Sequence, residues 1–556
     1  MFTHFNTKEK SVHYPDDRRV SIVVKPYVFL SVIAGLFIVL GMAWMQYLLF
    51  GLPSDPSVNL PPSTETTVKG FPVWLILCHW VNFFFLVILI RSGLSILMDH
   101  PRLYWNNGSK PGSEWLKFTK KKISDTELWT AKDDARYLSP LIGLPGYRHT
   151  VGIARSWHFI HVPFFVLNGV IFVSLLFAGD QWQRVVPSSW KIIPDAWSVF
   201  VHYATFNMPV EPNGFYYYNA LQQLSYFGVI FILAPLAIFS GLCMSPAIEN
   251  RFHWLPKIFG NRQGARSIHF LVMLGYVLFI IIHVAMVMAT GFVRNMNHIT
   301  VGTDNPTDPT GIYIGFAILL FTLFFCFYAH WISWNNPRVL QKISALLNGN
   351  LWQFTINRFK PTAYFEKKDI SPFFWPNGKL PTSDRWKELA KNNFTDYKLK
   401  IGGLVQNPVE LSVEQMEQLG KEQNITMHHC IQGWSGVAEW GGLPIKVIVD
   451  LVKPFTSATT VVFYSFGEGL YGDVYYDTHT LDNCLKPQSI LAWEMNYEKL
   501  PELYGAPLRL RVENQLGYKM VKWIERIEFV ETHKTVGKGY GGKNEDDEYF
   551  DLIANT

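Results

Sequence analysis

Six histidines, His79, His158, His161, His269, His283 and His330, lie inside long apolar runs. An ionisable side chain at membrane depth is expensive and marks function or a specific partner. One such histidine could serve as an interhelical hydrogen-bonding group. Six call for a shared reason, and iron held between pairs of imidazoles supplies one. His269 and His283 are fourteen residues apart within a single run. On a helix that spacing returns a side chain to within about 40° of the same face and about 21 Å further along the axis. One helix face can therefore hold a ligand for each of two stacked haems, one per leaflet.

The elements that must position these residues are readable from hydropathy. Six segments, roughly 26–50, 72–98, 156–179, 222–244, 267–291 and 312–334, are long and apolar enough to cross a bilayer. The first is too long for a cleaved leader, and further spans follow it. Lys and Arg concentrate on one side. They occupy the N-terminal arm 1–25 (Lys8, Lys10, Arg18, Arg19, Lys25), the loop after the second span and the loop after the fourth, where Arg251, Lys257, Arg262 and Arg266 stand. The opposite loops carry Lys69, Arg184, Lys191 and Arg294. The basic side is expected to be cytoplasmic. With six spans, both termini then lie in the cytoplasm of a cell whose inner membrane holds the protein. Depth pairs the ligands: His158 with His269 on the inner side, His79 with His283 on the outer side. Gly93 and Gly169 fall where the second porphyrin would pass a ligand helix, and glycine permits close approach. For His161 a role as alternative ligand, propionate partner or quinone-site residue stands beside a plain hydrogen-bonding one, and for His330, near the cytoplasmic end of the sixth run, a functional and a hydrogen-bonding role both stand. Arg91 is read as snorkelling or as a partner for a haem propionate.

Composition excludes other classes. A net charge of +5 with basic residues beside apolar spans makes no case for nucleic acid. The five cysteines, Cys78, Cys243, Cys326, Cys430 and Cys484, form no CxxC pair, which argues against iron–sulfur clusters and structural zinc. Beyond 334 the character changes. A linker at 335–359 leads to a soluble domain over 360–535. Short strand-like runs such as 460–463 and 508–512 and a helical pattern over 412–419 point to α+β. The tail 536–556, rich in glycine and acidic residues, is expected to be loosely held.

Two resemblances sharpen this. His79-Trp80 with Ser92-Gly93-Leu94, Arg155-Ser-Trp-His158-Phe, and Arg266-Ser-Ile-His269-Phe with His283 resemble the b-type cytochrome subunits of nickel–iron hydrogenase and formate dehydrogenase over about 70–295. The resemblance implies two haem b groups on those four histidines and quinone bound near one of them. This chain adds a span before and a span after the four-helix core. His428-His429-Cys430-Ile-Gln-Gly-Trp434, with Leu491-Ala492-Trp493-Glu494, Gly505-Ala506-Pro507-Leu508-Arg509 and Leu516-Gly517-Tyr518-Lys519, resembles the sulfite oxidase-like molybdopterin family over about 360–533. The similarity is greatest to its methionine sulfoxide reductase catalytic branch.

That second resemblance implies that the Cys430 thiolate binds molybdenum, as a soft ligand suited to a metal that exchanges an oxo group. It makes Arg509, Lys519, Lys522 and the backbone at Gly517 candidates for the pterin phosphate, and His428 and His429 candidates to line the cofactor pocket. Cys484 is read as a core residue. Tyr471, Tyr475 and Tyr476 are substrate-side candidates, although packing explains them equally well. The arginine-rich run that follows the metal cysteine in sulfite oxidases is missing: Ile431-Gln432-Gly433-Trp434 stands there instead, which disfavours sulfite.

The expected architecture is thus an all-α transmembrane helical bundle with a four-helix di-haem core, followed by a soluble α+β molybdopterin domain. The expected function is electron exchange between quinone or quinol and a molybdenum centre, with oxygen-atom transfer on a small S- or N-oxide. The alternatives are sulfite-type oxidation feeding the quinone pool, and a transmembrane cytochrome serving a separate reductase. Membrane lipid, quinone and a small-molecule substrate are the expected partners, and a homo-oligomer is compatible with the pattern.

Overall fold

In hydrocarbon every backbone N–H and C=O must be satisfied within the segment, so long apolar runs become helices. The computed structural model describes residues 20–60, 66, 68, 70–123, 129–144, 150–356, 359–552 and 554–556. Six helices are long and apolar enough to span: α1 (Pro26–Phe50), α2 (Val73–Asp99), α3 (Val151–Ala178), α4 (Ala220–Cys243), α5 (Arg262–Ala289) and α6 (Thr310–Asn335). Lys8, Lys10, Arg18, Arg19 and Lys69 from the charge argument lie outside the described residues.

Helices α3 and α5 begin five residues earlier than hydropathy suggests. Thr150 and Asn261 cap them, accepting from the N–H groups of Ile153 and Gly264. Arg155, Arg262 and Arg266 therefore sit on projecting helical turns rather than in loops. Hydropathy misses such turns because they leave the apolar layer for a protein interface. In α4 a π-helical stretch, Gly228–Leu233, precedes Pro235, whose missing N–H removes a regular helix bond. Helix α2 packs along α3 and α5 along α4, while α1 meets the 192–204 helix and stands at the periphery.

At the end of the bundle where α2 finishes and α3 starts, a small sheet forms in the order β1-β3-β2, from β1 (Val23–Val24), β2 (Arg102–Leu103) and β3 (Leu116–Lys117). Buried Arg102 anchors this loop through Asp134 and Glu114, both at 2.7 Å.

The soluble domain pairs two five-stranded sheets, which makes it α+β as expected. One runs β5 (Val409–Leu411), β4 (Leu399–Gly403), β13 (Ile524–Val530), β8 (Thr460–Glu468), β9 (Val474–Thr480). The other runs β11 (Glu498–Lys499), β10 (Ile490–Met495), β7 (Ser435–Pro444), β6 (Glu422–His429), with β12 (Arg509–Arg511) also on β10. Leu443 and Leu491 of one sheet share a core with Ile401, Phe463 and Phe529 of the other. Burial of their alternating apolar faces holds the two sheets together. The helix expected at 412–419 is Val413–Leu419, with Ser412 and Gln415 forming a capping box.

Two segments depart from expectation. The 335–359 stretch, read as a linker, is largely helical, with Pro337–Ser344 followed by helical turns to Thr355. The tail, read as loosely held, is packed. Glu545, Asp546, Asp547 and Phe550 are buried. Arg338 donates to the Glu545 carbonyl at 2.5 Å, Thr150 to the Glu548 carbonyl at 2.9 Å, and Arg251 to the Thr556 carbonyl at 3.0 Å. Composition suggested a loose tail, but Glu545 meets Lys519 of the soluble domain, Glu548 meets Lys132 of the loop after α2, and the tail's carbonyls meet Arg251 and Arg338. The tail thus straps the soluble domain to the membrane domain.

Candidate functional site

The histidines of the bundle form two sets. The rings of His79 and His283 lie 6.4 Å apart between centroids. Two metal–imidazole bonds of about 2 Å, with a ring radius of about 1 Å at each end, give about 6 Å, so the spacing of these rings is one that would suit an iron bonded to both. His283 also stacks on Phe279 at 5.4 Å and meets Tyr226 at 6.0 Å. The second set, His158 and His269, lies within electrostatic reach of one another. Each of these rings touches a serine on the neighbouring helix: His158 Nδ1 is 3.1 Å from Ser92 Oγ, and His269 Nδ1 is 3.0 Å from Ser240 Oγ.

The two glycines differ in their surroundings. A Cβ at Gly93 would lie 3.5 Å from the His158 ring, so Gly93 seats an imidazole, and Gly241 seats His269 in the same way. Nothing lies within 4 Å of a Cβ at Gly169. His161 bonds the Trp157 carbonyl at 2.7 Å and is buried among aromatic rings. His330 meets Arg91 at 3.1 Å and the Pro140 carbonyl at 3.0 Å. Arg91 also donates to the carbonyls of Leu141 and Gly143. For these three the hydrogen-bonding role is the one the geometry supports.

Cys430 follows β6 and opens the tight turn into β7. Its N–H donates to the Trp434 carbonyl at 3.1 Å, and Gly433 N–H returns to the Cys430 carbonyl at 3.0 Å. Gly433 has φ +99°, a conformation that suits glycine. The sulfur lies 3.7 Å from Gln432 Oε1 and 3.9 Å from Asn377 Nδ2. Burial pushes the thiol up to about 12, so the protein alone keeps it neutral, and a bound metal cation would hold it as thiolate.

The Cys430 turn faces the membrane domain. Arg262 donates to Ser435 Oγ at 2.5 Å, and Gln263 donates to the Gly433 carbonyl at 3.0 Å. Arg266 binds the carbonyls of His100 and Arg102 at 2.7 and 2.8 Å and lies under Gly433. Arg155, Arg262 and Arg509 are within electrostatic reach of the sulfur. His429 sits in this interface, 3.4 Å from Asn250 and 3.8 Å from Glu249. His428 accepts from Arg511 at 3.0 Å and packs so closely on Gly517 that a Cβ there would clash. Burial lowers both imidazoles well below their ordinary range, so they are neutral.

The phosphate candidates divide. Arg509 donates to the Tyr504 carbonyl at 2.9 Å, and its Nε is buried without a partner. Lys522 meets the carbonyls of Asn377 and Leu503. Among the described residues neither forms an ion pair. Burial, with each other's charge, holds Lys522 well below its ordinary range. Buried Arg509 and half-buried Lys522, adjacent and outside any ion pair among the described residues, form a site for an anion, and Asn377 links them to the Cys430 side. These residues fit a molybdopterin. Lys519 is not brought into that group: its ammonium is taken by Asp477 and by Glu545 at 2.5 Å. Tyr475 donates to the Tyr518 carbonyl and Tyr476 to Asp546, which ties both to the packing beneath the tail, while Tyr471 is partly exposed. Cys484 is in the core.

Sequence reading gave no role of their own to Ser92, Ser240, Gln263, Asn377 and Gln432. One signal was available: Ser92-Gly93-Leu94 in α2 recurs as Ser240-Gly241-Leu242 in α4.

Comparison with known proteins agrees with this division. The family model "Prokaryotic cytochrome b561" matches residues 70–300, and "Oxidoreductase molybdopterin binding domain" matches 387–536. A putative protein-methionine-sulfoxide reductase subunit YedZ1 from Azospira oryzae is 29% identical over 176 residues, 32% of this chain and 63% of the relative. The protein-methionine-sulfoxide reductase catalytic subunit MsrP from Gluconobacter oxydans is 35% identical over 145 residues, 24% of this chain and 46% of the relative. The chain spans about half the length of the curated relatives it matches. The sulfane dehydrogenase SoxCD from Paracoccus pantotrophus aligns at 20% identity with a TM-score of 0.23, over 26% of this chain and 42% of that one, too slight a likeness to carry an argument. The chain joins a cytochrome b561-type membrane domain to the molybdopterin binding domain of an oxidoreductase.

Proposed function

We propose that this protein is a membrane-bound molybdopterin oxidoreductase that carries electrons from quinol through two b haems to a molybdenum centre, where a small S- or N-oxide is reduced. A molybdenum–molybdopterin group supplies two-electron oxygen-atom transfer, and haem supplies one-electron carriers. Reducing an S- or N-oxide consumes two electrons and two protons and releases water, which is what one quinol delivers. Relatives named as protein-methionine-sulfoxide reductases support the substrate class and the direction.

The observation that carries this reading is the docking of the Cys430 turn on α5. Arg262 and Gln263, which hold Ser435 and Gly433, are seven and six residues before His269. On one helix that is about 10 Å along the axis. The His158/His269 pair is thus the nearer one to Cys430, and the His79/His283 pair the farther. The order we propose is His79/His283 haem, His158/His269 haem, molybdenum, with the soluble domain in the cytoplasm. In this chain the Cys430 side chain would hold the metal, and Arg509 and Lys522 the anionic end of the cofactor. Neutral His428 and His429 would wall the pocket.

The test adds a quinol analogue to the His158→Ala variant and follows haem absorbance and substrate turnover separately. Molybdenum should remain bound while quinol-driven turnover is lost. Wild-type turnover in that variant would remove the inner haem from the obligatory path.

A further inference from the structure

We propose that Ser92 and Ser240 are positioning residues that lock His158 and His269 in the Nδ1–H tautomer, leaving Nε2 of each as the iron donor, and lower the reduction potential of that haem alone. This rests on the two-haem reading above and adds to it.

The argument follows the single proton of each hydroxyl. Ser92 Oγ lies 2.8 Å from the Ile88 carbonyl and 3.2 Å from the Leu89 carbonyl. A carbonyl oxygen can only accept, so the serine proton is spent on its own helix. Toward His158 Nδ1, at 3.1 Å, the serine can then only accept. Nδ1 therefore carries the imidazole proton, and Nε2 keeps its lone pair. Ser240 repeats each term. Its Oγ lies 2.6 Å from the Leu236 carbonyl and 3.3 Å from the Ala237 carbonyl, and 3.0 Å from His269 Nδ1. The glycine that follows each serine seats the same ring. A Cβ would come 3.5 Å from His158 Cε1 at Gly93 and 3.5 Å from His269 Cε1 at Gly241. Two different helix pairs, α2 with α3 and α4 with α5, thus build the same cradle at one depth.

The other pair lacks this device. His79 Nδ1 is buried and has no hydrogen-bond partner among the described residues. His283 is held by ring packing against Phe279 and Tyr226. An acceptor on the far nitrogen makes an imidazole a stronger donor to its metal. Stronger donation favours the ferric state. The two haems should therefore differ in potential, with the serine-cradled one lower, through a feature that acts on one pair only.

The experiment uses the full-length protein in detergent. A pyridine haemochrome assay counts haem, and a redox titration followed at the haem absorbance resolves the midpoints. Two haems with distinct midpoints are expected in the wild type. Ser92→Ala and Ser240→Ala should each move the lower midpoint upward and leave the other in place. Ser92→Thr and Ser240→Thr, which keep the hydroxyl, should restore the wild-type value. Ser95→Ala is the control: that hydroxyl accepts from Leu144 N–H at 2.9 Å, not from a histidine, and both midpoints should stay. One haem in the wild type refutes the two-haem reading. Two haems whose midpoints ignore both Ser→Ala changes, or serines that shift different haems, overturn the serine assignment alone. If an alanine variant loses a haem, the threonine variant decides: two haems at wild-type midpoints uphold the assignment, and anything else overturns it.

Discussion

Replacing Lys519 by Met separates a cofactor-binding lysine from a structural one. Lys519, Asp477 and Glu545 are all buried, and the ammonium bridges β9 to the tail. Removing one partner of a buried ion pair costs about 3–5 kcal/mol, because the remaining charge is left without compensation. A domain of this size loses about 2–4 °C of melting temperature per kcal/mol, so the variant should melt about 6–20 °C lower at pH 7. The pH dependence has a definite sign. Burial raises both carboxyls above their ordinary range, and Lys519 pulls them back. Without the ammonium they rise further, so the folded protein holds protons that the unfolded chain has released above about pH 4. The variant's stability must then fall as pH rises from there. The deficit against wild type should widen with pH, most steeply near pH 8, where wild-type Glu545 gives up its proton and the variant's does not. Thermal unfolding at several pH values, with metal analysis of protein kept cold, reads both quantities. Adding Glu545→Gln should recover part of the loss, since neighbours in one network couple by about 0.5–3 kcal/mol. An unchanged melting temperature with loss of molybdenum would show that Lys519 serves the cofactor and that the triad reasoning is wrong.

Cys430→Ser should abolish substrate turnover yet leave both haems bound and reducible by a quinol analogue; failure of haem reduction would mean the sulfur matters beyond the metal. His269→Ala and His283→Ala should each remove about one haem, read by the pyridine haemochrome, and a wild-type protein with a single haem contradicts both. A reporter fused to the C-terminus should be active only as a cytoplasmic fusion, and activity confined to the other side would reverse the Lys and Arg argument.

Much of the architecture was legible because it depends on short-range regularities. The length and apolarity of six runs suffice for six helices, since a bilayer leaves the backbone no other solution. The separation of His269 and His283 is set by the rise and turn of one helix, so it needs no tertiary information. Cys430 was visible through its flanking motif, and the strands near 460 and 508 through alternation. What passes between elements was not legible. Hydropathy placed Arg262 in a loop, whereas α5 extends to meet the Cys430 turn, because its first turns are solvated by protein rather than by lipid. Lys519 looked like a phosphate ligand until Glu545, far along the chain, took its charge. The tail's glycine and acid content read as a loosely held segment, because composition reports on a segment's own capacity to fold and not on the arginines that other parts of the chain offer it. Ser92 and Ser240 are ordinary serines in apolar helices by sequence. They become specific only when α2 lies against α3 and α4 against α5, since a hydrogen bond of 3 Å between residues 66 or 29 positions apart is decided by packing alone.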